Sequence, residues 1–530
     1  MIDAIVIGSG HNGLIAAAYL AQAGREVMVI ERDEVPGGAV STVERFPGYR
    51  VDRGSSAHLM IRHSGIIDEL DLHRHGLRYL DCDPWGFAPA TDEGGPIIFR
   101  TDLDATCTSI EKSCGAADAD AYRRFVAQWG PRSRAVMRSF YGPVTPGRFS
   151  RVFGGLGRTA TSGRRGVVGK RAGALLSVSQ DLMLSGDALL DRWFTSERLK
   201  AALSWFGAQS GPPMSAPGTA PMVGFAALMH DIPPGRAVGG SGALTEALLA
   251  RLDADGARVQ LGSGAVSMSP SGDHWVVVDA DGRRHAARTV ISAAHVLTTL
   301  DLLEAGGYDA AALDRWRREV VVGNGIGMAC RFATNALPHY PDLPSDLPAH
   351  GVHSALGLLV TDRADLHRAY AAAAVGELPP RPACLPMSFS ALDETLAPAG
   401  AHLITVWSQW HPYRLADDRS WPAATVEAVD AICAEIDRHA PGFTDSIIHR
   451  HIQTPDLLES ELGLIGGNIM HVEMSIDQMF MWRPHPDLSN HRVPGADGLI
   501  LAGASTHPGG GVTGASGRIA AAIALRRDRR

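Results

Sequence analysis

The tightest constraint on this chain is one unit near its N-terminus. A short apolar run from Asp3 to Ile7 leads into Gly8-Ser9-Gly10-His11-Asn12-Gly13. Leu14, Ala17, Ala18 and Leu20 then recur at helical spacing, Gly24 stops the pattern, and a second apolar run from Glu26 to Ile30 closes on Glu31. The pattern predicts a strand, a tight turn, a helix over about Asn12 to Ala23 and a second strand. Each residue type has a task. Gly8 permits the turn, Gly10 lets a pyrophosphate reach the backbone, and Gly13 lets helix and strand pack closely. The helix N-terminus offers unsatisfied N–H groups and a partial positive charge. Glu31 follows at roughly the 20-residue distance where such folds place an acid that accepts from ribose hydroxyls. His11 and Asn12 complete the turn, and Arg32 stands beside the adenine end. The unit predicts a dinucleotide site.

Two further segments bear on which dinucleotide. Pro36-Gly37-Gly38 lies just past the ribose acid, a Gly-Gly pair in position to bring the chain back along a pyrophosphate. At the other end, Asp497 to Gly503 reads as a turn and a buried strand. A Gly-rich loop follows through Gly511 and Val512, and a helix is expected from about Val512 to Leu525. In the middle, Gly239-Gly240-Ser241-Gly242 precedes a helix from Ala243 to Leu252. Val259 starts an edge segment, and Asp279-Ala280-Asp281-Gly282 predicts a hairpin turn into the strand Arg284 to Ile291.

These residues, with Phe46-Pro47-Gly48-Tyr49, Gly466-Gly467-Asn468-Ile469, Asp477-Gln478, Arg483-Pro484 and Gly503 to Gly517, resemble the phytoene desaturase-like flavoproteins. Within that family the sequence most resembles the branch of the pyridine nucleotide-disulfide oxidoreductase domain-containing protein 2 and the bacterial carotenoid ketolases and desaturases. The resemblance implies FAD as cofactor. It implies an α/β fold: an FAD-binding Rossmann-type domain of the GR2/amine-oxidase-like kind, with an inserted mixed α+β substrate domain. The FAD domain is expected from 1–75, 235–300 and 490–530, and the substrate domain from 80–230 and 300–490. The resemblance further implies cofactor contacts at Gly8, Gly10, His11, Asn12, Gly13, Glu31, Arg32, Gly37, Gly38, Gly503, Ala504, Gly511 and Val512. It places the loop Arg53-Gly54-Ser55-Ser56 near the isoalloxazine, so Ser55 and Ser56 join the cofactor set. The backbone of Val259 is expected beside the adenine, with a plain strand residue as the other reading. The two histidines in these loops, His507 and His58, are the candidate catalytic or flavin-tuning residues. His471 and Arg483 are weaker candidates.

Composition removes other classes. With 49 Lys and Arg against 57 Asp and Glu the net charge is −8, so no nucleic-acid footprint is expected. The six cysteines form no C-x-x-C pair, which argues against a redox dithiol and a zinc site. No metal is expected, and disulfide-reductase activity is not carried over from the branch name. A pyridine-nucleotide reductase would need a second G-x-G-x-x-G followed by an acid, and none is found. Lys112, Lys170 and Lys200 lie outside the flavin motifs, which disfavours an amine oxidase mechanism. No apolar stretch reaches the ~18–20 residues that cross a bilayer, and the first strand begins too soon for a signal peptide. A cytoplasmic protein is expected.

One segment is unusual. From Pro131 to Arg171 there are ten Lys and Arg and no acid. A patch for anionic lipid headgroups on the inner face of the membrane, a solvated loop, and a surface for an anionic partner are the readings. The expected function is FAD-dependent dehydrogenation of a largely apolar small molecule, with oxygen or a quinone as electron acceptor. A ketolase, oxygenase or saturase, and a flavin-stabilised regulatory or binding protein with little turnover, are the alternatives.

Overall fold

The computed structural model describes residues 1–145, 147 and 178–527. The strand Ile2–Ile7 sits at the centre of a seven-stranded sheet, and it is buried on both faces, as its unbroken apolar run requires. Val27–Ile30 and Arg284–Ser292 flank it in parallel, with Ile5 opposite Met28 and Val290. Arg258–Gln260 continues the sheet beyond Val27–Ile30. On the other side Arg284–Ser292 does two jobs. Its first half pairs antiparallel with His274–Asp279 across the expected hairpin turn, and its last three residues pair in parallel with Leu499–Leu501.

The pleat sorts side chains between two cores. Ala4 and Val6 face a layer built from the helices His11–Gln22, Ala243–Ala254 and Ala515–Arg527. Ile5 and Ile7 face a layer built from Val296–Ala305 and Ala310–Glu319. The domain boundary expected at 300 therefore falls inside a helix whose Leu300 and Leu303 pack under this sheet. The first and last helices cross closely because Gly517 stands at the crossing, and the first helix sits close over its own turn because residue 13 is a glycine. A Cβ at Gly13 would run into the Gly8 carbonyl, and one at Gly517 into the Asn12 carbonyl.

The second unit centres on a four-stranded antiparallel sheet in the order Ala383–Met387, His402–Gln409, Gly327–Thr334, Ile447–Gln453. A helical layer that includes Ala116–Phe140 and Glu197–Ala208 packs beside it, around Tyr122, Phe125, Trp129 and Trp205. Residues 148–171 of the basic segment lie outside the described residues. Its first ten residues continue the helix Ala116–Phe140, with Pro131 inside it. Acids distant in sequence balance two of its arginines: Arg132 pairs with Asp181 at 2.9 Å and Arg134 with Asp231 at 2.6 Å. This part of the segment is half-buried helix rather than a free basic loop.

Candidate functional site

The cleft begins where Ile2–Ile7 ends. Gly8 N–H donates to the Ile30 carbonyl at 2.8 Å, which ties the turn to the neighbouring strand. Gly10 caps the helix His11–Gln22 and brings no side chain to its N-terminus, so the orphan N–H groups there are left for an anion. Three donors hold the Glu31 carboxylate. Ser9 N–H and Ser9 Oγ reach one oxygen at 2.7 and 2.8 Å, and Asp33 N–H reaches the other at 2.9 Å. Because a carboxylate has about four acceptor sites, capacity remains on the side that lines the cleft. Ser9 also accepts from Gly37 N–H at 3.2 Å, so this unremarked position of the glycine motif couples the acid to the Gly-Gly turn.

The cleft is open beside the glycines of the turn. A Cβ built at Gly10 would meet nothing within 4 Å, and one at Gly38 would meet only the Gly10 Cα at 3.7 Å. The open space that Gly10 borders, the uncapped helix and the spare acceptor on Glu31 together fit the ADP half of FAD.

The cleft, a cavity of about 200 Å³, runs into a chamber of about 310 Å³. His11, Ala39, Leu464, His471 and Ala504 line both. A third cavity of about 250 Å³ continues from the chamber past Ala57, Gln209, Leu356 and Met470, and it is walled by Phe140, Phe206, Phe225, Met222 and Met474. The three spaces form one path from a polar, acid-bearing end to an apolar end.

The expected cofactor residues distribute along this path. Gly8, Gly10, His11, Asn12, Glu31, Arg32, Gly37, Gly38 and Ala504 line the cleft. Ser55, Ser56, Gly511 and Val512 line the chamber. Gly13 and Gly503 serve packing, since a Cβ at Gly503 would run into the Ala294 carbonyl. Val259 stands in the sheet in register with Val29, while Gly264 and Ala265 line the cleft beside Arg32. The final helix starts at Ala515 rather than Val512. Val512 has φ +53° and Gly514 φ +67°, outside helical space, and Thr513 Oγ1 accepts from Ala515 N–H at 3.2 Å as a cap.

Neither expected catalytic histidine lines these cavities. His58 is buried behind Ser55. Its Nδ1 shares a hydrogen bond with the Tyr79 hydroxyl at 2.7 Å, and its Nε2 faces Ser241 Oγ at 3.0 Å. Burial, helped by the nearby Arg236 charge, lowers its pKa to about 3, so it is a neutral brace between loops. His507 is buried against Phe140 and Phe480, with its Nε2 facing the Ser139 carbonyl at 3.2 Å; its neighbour Pro508 lines the third cavity.

The junction belongs instead to His11 and His471. His471 has φ +69°, and its Nδ1 has no hydrogen-bond partner among the described residues. Its ring stacks on His295 at 5.8 Å, and His295 Nε2 donates to the His471 carbonyl at 2.9 Å. Burial depresses all three histidines, His11 and His295 to about 4 and His471 well below its usual range. Beneath them the buried Arg483 donates to the carbonyls of Met470 at 2.6 Å, Glu473 at 3.0 Å, and Val472, Gln478 and Ala504 at 3.3 Å. It stitches the loop that carries His471 to the loop that carries Ala504. Arg331 on Gly327–Thr334, with Thr405 opposite it, also lines the chamber. Nothing local in the sequence singles it out, because only the sheet register turns it inward. Among the described residues no cluster suited to a metal ion occurs, and no helix is long and apolar enough to cross a membrane.

Comparison with known proteins gives a consistent picture. Residues 6–70 match the family model of an NAD(P)-binding Rossmann-like domain. The rat (Rattus norvegicus) pyridine nucleotide-disulfide oxidoreductase domain-containing protein 2 is 32% identical over 99% of this chain and 93% of its own length. The phytoene dehydrogenase of Streptomyces griseus is 26% identical, over 98% of this chain and 94% of its own. Among solved structures, cyclohexylamine oxidase from Brevibacterium oxydans shares the fold with a TM-score of 0.56 at 14% identity, covering 100% of both chains.

Proposed function

The chain belongs to the phytoene desaturase-like FAD-dependent oxidoreductase family, with the pyridine nucleotide-disulfide oxidoreductase domain-containing protein 2, and on that premise we propose that it binds FAD along the cleft and into the chamber and dehydrogenates a largely apolar molecule held where the chamber opens into the Phe- and Met-lined cavity. The observation that carries this reading is the unbroken path from the Glu31 cleft, past His11, Ala39, His471 and Ala504, into an apolar chamber. A dinucleotide entering at Glu31 and extending along that path reaches the substrate space.

FAD, when bound, supplies the hydride acceptor. The protein's part is to bind and orient. Glu31 would accept from the ribose hydroxyls of the cofactor, and the N-terminus of His11–Gln22 would hold its pyrophosphate. The Arg483 carbonyl stitch fixes the His471 and Ala504 loops on either side of the junction. His471 Nδ1 is a hydrogen-bonding contact rather than a strong base, because its pKa is depressed. No carboxylate lines the chamber among the described residues, so the proton lost with the hydride passes to water or to a weakly basic imidazole. Oxygen or a quinone takes the electrons.

The purified protein is expected to show flavin absorption bands and to release intact FAD on heating. Anaerobic addition of an apolar substrate is expected to bleach those bands, and oxygen or a quinone to restore them. A colourless protein that takes up no added FAD would end this reading.

A further inference from the structure

The chamber is apolar but not neutral. Arg331 lines it and is buried to 1% exposure. Its one hydrogen bond runs from Nη2 to the Gly54 carbonyl at 3.3 Å. Nε and Nη1 have no partner among the described residues. The buried acid near it, Asp52, is already engaged: it pairs with Arg236 and accepts from Thr42 Oγ1 at 2.7 Å and Ser241 N–H at 2.9 Å. Two guanidinium groups therefore share one carboxylate, and a positive charge is left over. The cross-strand neighbours of Arg331 are Thr405 and His451, and neither is an acid. Among the described residues no Asp or Glu lines the chamber. Gln209, which lines both the chamber and the third cavity, also has an unpartnered Nε2 donor.

A buried guanidinium with spare donors is costly unless an anion or polar ligand meets it. Here the residue that carries them forms part of the wall of a space large enough for a ligand. We propose that the substrate is an amphipathic molecule whose carboxylate docks on Arg331 while its apolar body extends into the Phe- and Met-lined cavity beyond. A singly charged carboxylate balances the single surplus charge, whereas a doubly charged phosphate would leave a deficit. The inference rests on the dehydrogenase reading for the chamber's role, but the recognition it names can be measured without turnover.

The test uses the FAD-loaded protein, isothermal calorimetry and two matched pairs: dodecanoate against dodecanol, and geranic acid against geraniol. At least one acid is expected to bind about tenfold tighter than its alcohol or more, the scale of one charge-assisted hydrogen bond. In Arg331→Gln that preference is expected to vanish with alcohol binding unchanged, and Arg331→Lys is expected to keep part of it. Acids and alcohols binding within about twofold of each other, neither acid binding, or a preference that survives in Arg331→Gln would overturn the proposal. The wild-type comparison decides the matter even if the variants do not fold. Calorimetric preference and flavin reduction are separate readouts. A protein whose FAD is reduced by an apolar substrate but that does not prefer acids loses only this inference, and one that prefers acids but whose FAD no substrate reduces loses only the redox reading.

Discussion

At the residue scale the glycine motif separates into two physical roles. Gly10 borders open cleft, and Gly13 touches backbone. The two positions should therefore respond differently to the same added methyl group. Gly10→Ala is expected to leave thermal stability nearly unchanged and to lower FAD affinity by about tenfold or more, because the methyl occupies the pyrophosphate's approach. Gly13→Ala is expected to destabilise the fold by roughly 1–3 kcal/mol through overpacking. Denaturation curves of the apo-proteins beside FAD titrations would check both. Equal losses of stability would mean that Gly10 is structural as well. The acid and the glycines were legible in the sequence because their spacing is local. Ser9 was not singled out, since its importance lies in joining Glu31 to Gly37 across a turn.

At the scale of elements, local patterns gave the first strand, helix and second strand to within a residue or so. The last helix begins three residues later than its apolar pattern suggests. Periodicity does not register that Val512 and Gly514 turn left-handed before Thr513 provides a cap. The arginines of the basic segment show the opposite failure. Composition marks them as unbalanced, but Asp181 and Asp231 come from elsewhere in the chain to balance Arg132 and Arg134. The crossing of the first and last helices depends on Gly517. Gly517→Val is expected to push the helices apart, cost about 2–3 kcal/mol and weaken FAD binding in parallel, since Asn12 and the Gly511 loop move with them. Stability and FAD affinity measured on the same preparation would check this. A loss of stability with intact affinity would show that the crossing does not set the cleft.

The whole molecule carries a set of buried neutral histidines. Burial holds His58 and His411 at about 3, and His295 and His491 at about 4. The usual value is 6.5, so the folded state binds fewer protons than the unfolded chain between pH 4 and 6.5. Stability is then fully present above about pH 6.5 and falls as pH drops below it, by roughly 1.4 kcal/mol per pH unit for each group. Denaturant midpoints from pH 7.5 to 5 should decline, and His58→Gln should decline less steeply than wild type. A flat profile would contradict the buried neutral state. The global topology was only partly legible. Resemblance supplied two units, but sequence distance hides that the helices to Glu319 pack under the first sheet and that Arg331 turns into the chamber from a strand of the second.

The strand Leu499–Leu501 has its place reserved beside Val290–Ser292, in the sheet that the first residues of the chain begin. A ribosome adding about 5–20 residues per second needs roughly 25–100 s to go from the first glycine turn to the last loop. Until its end is made the nascent chain lacks Ala504 from the cleft wall, and once Val290–Ser292 is in place that strand has one edge bare. Such an edge invites pairing with another chain. A cleft that holds FAD as proposed is complete only once the terminal loop, with Ala504, has been translated.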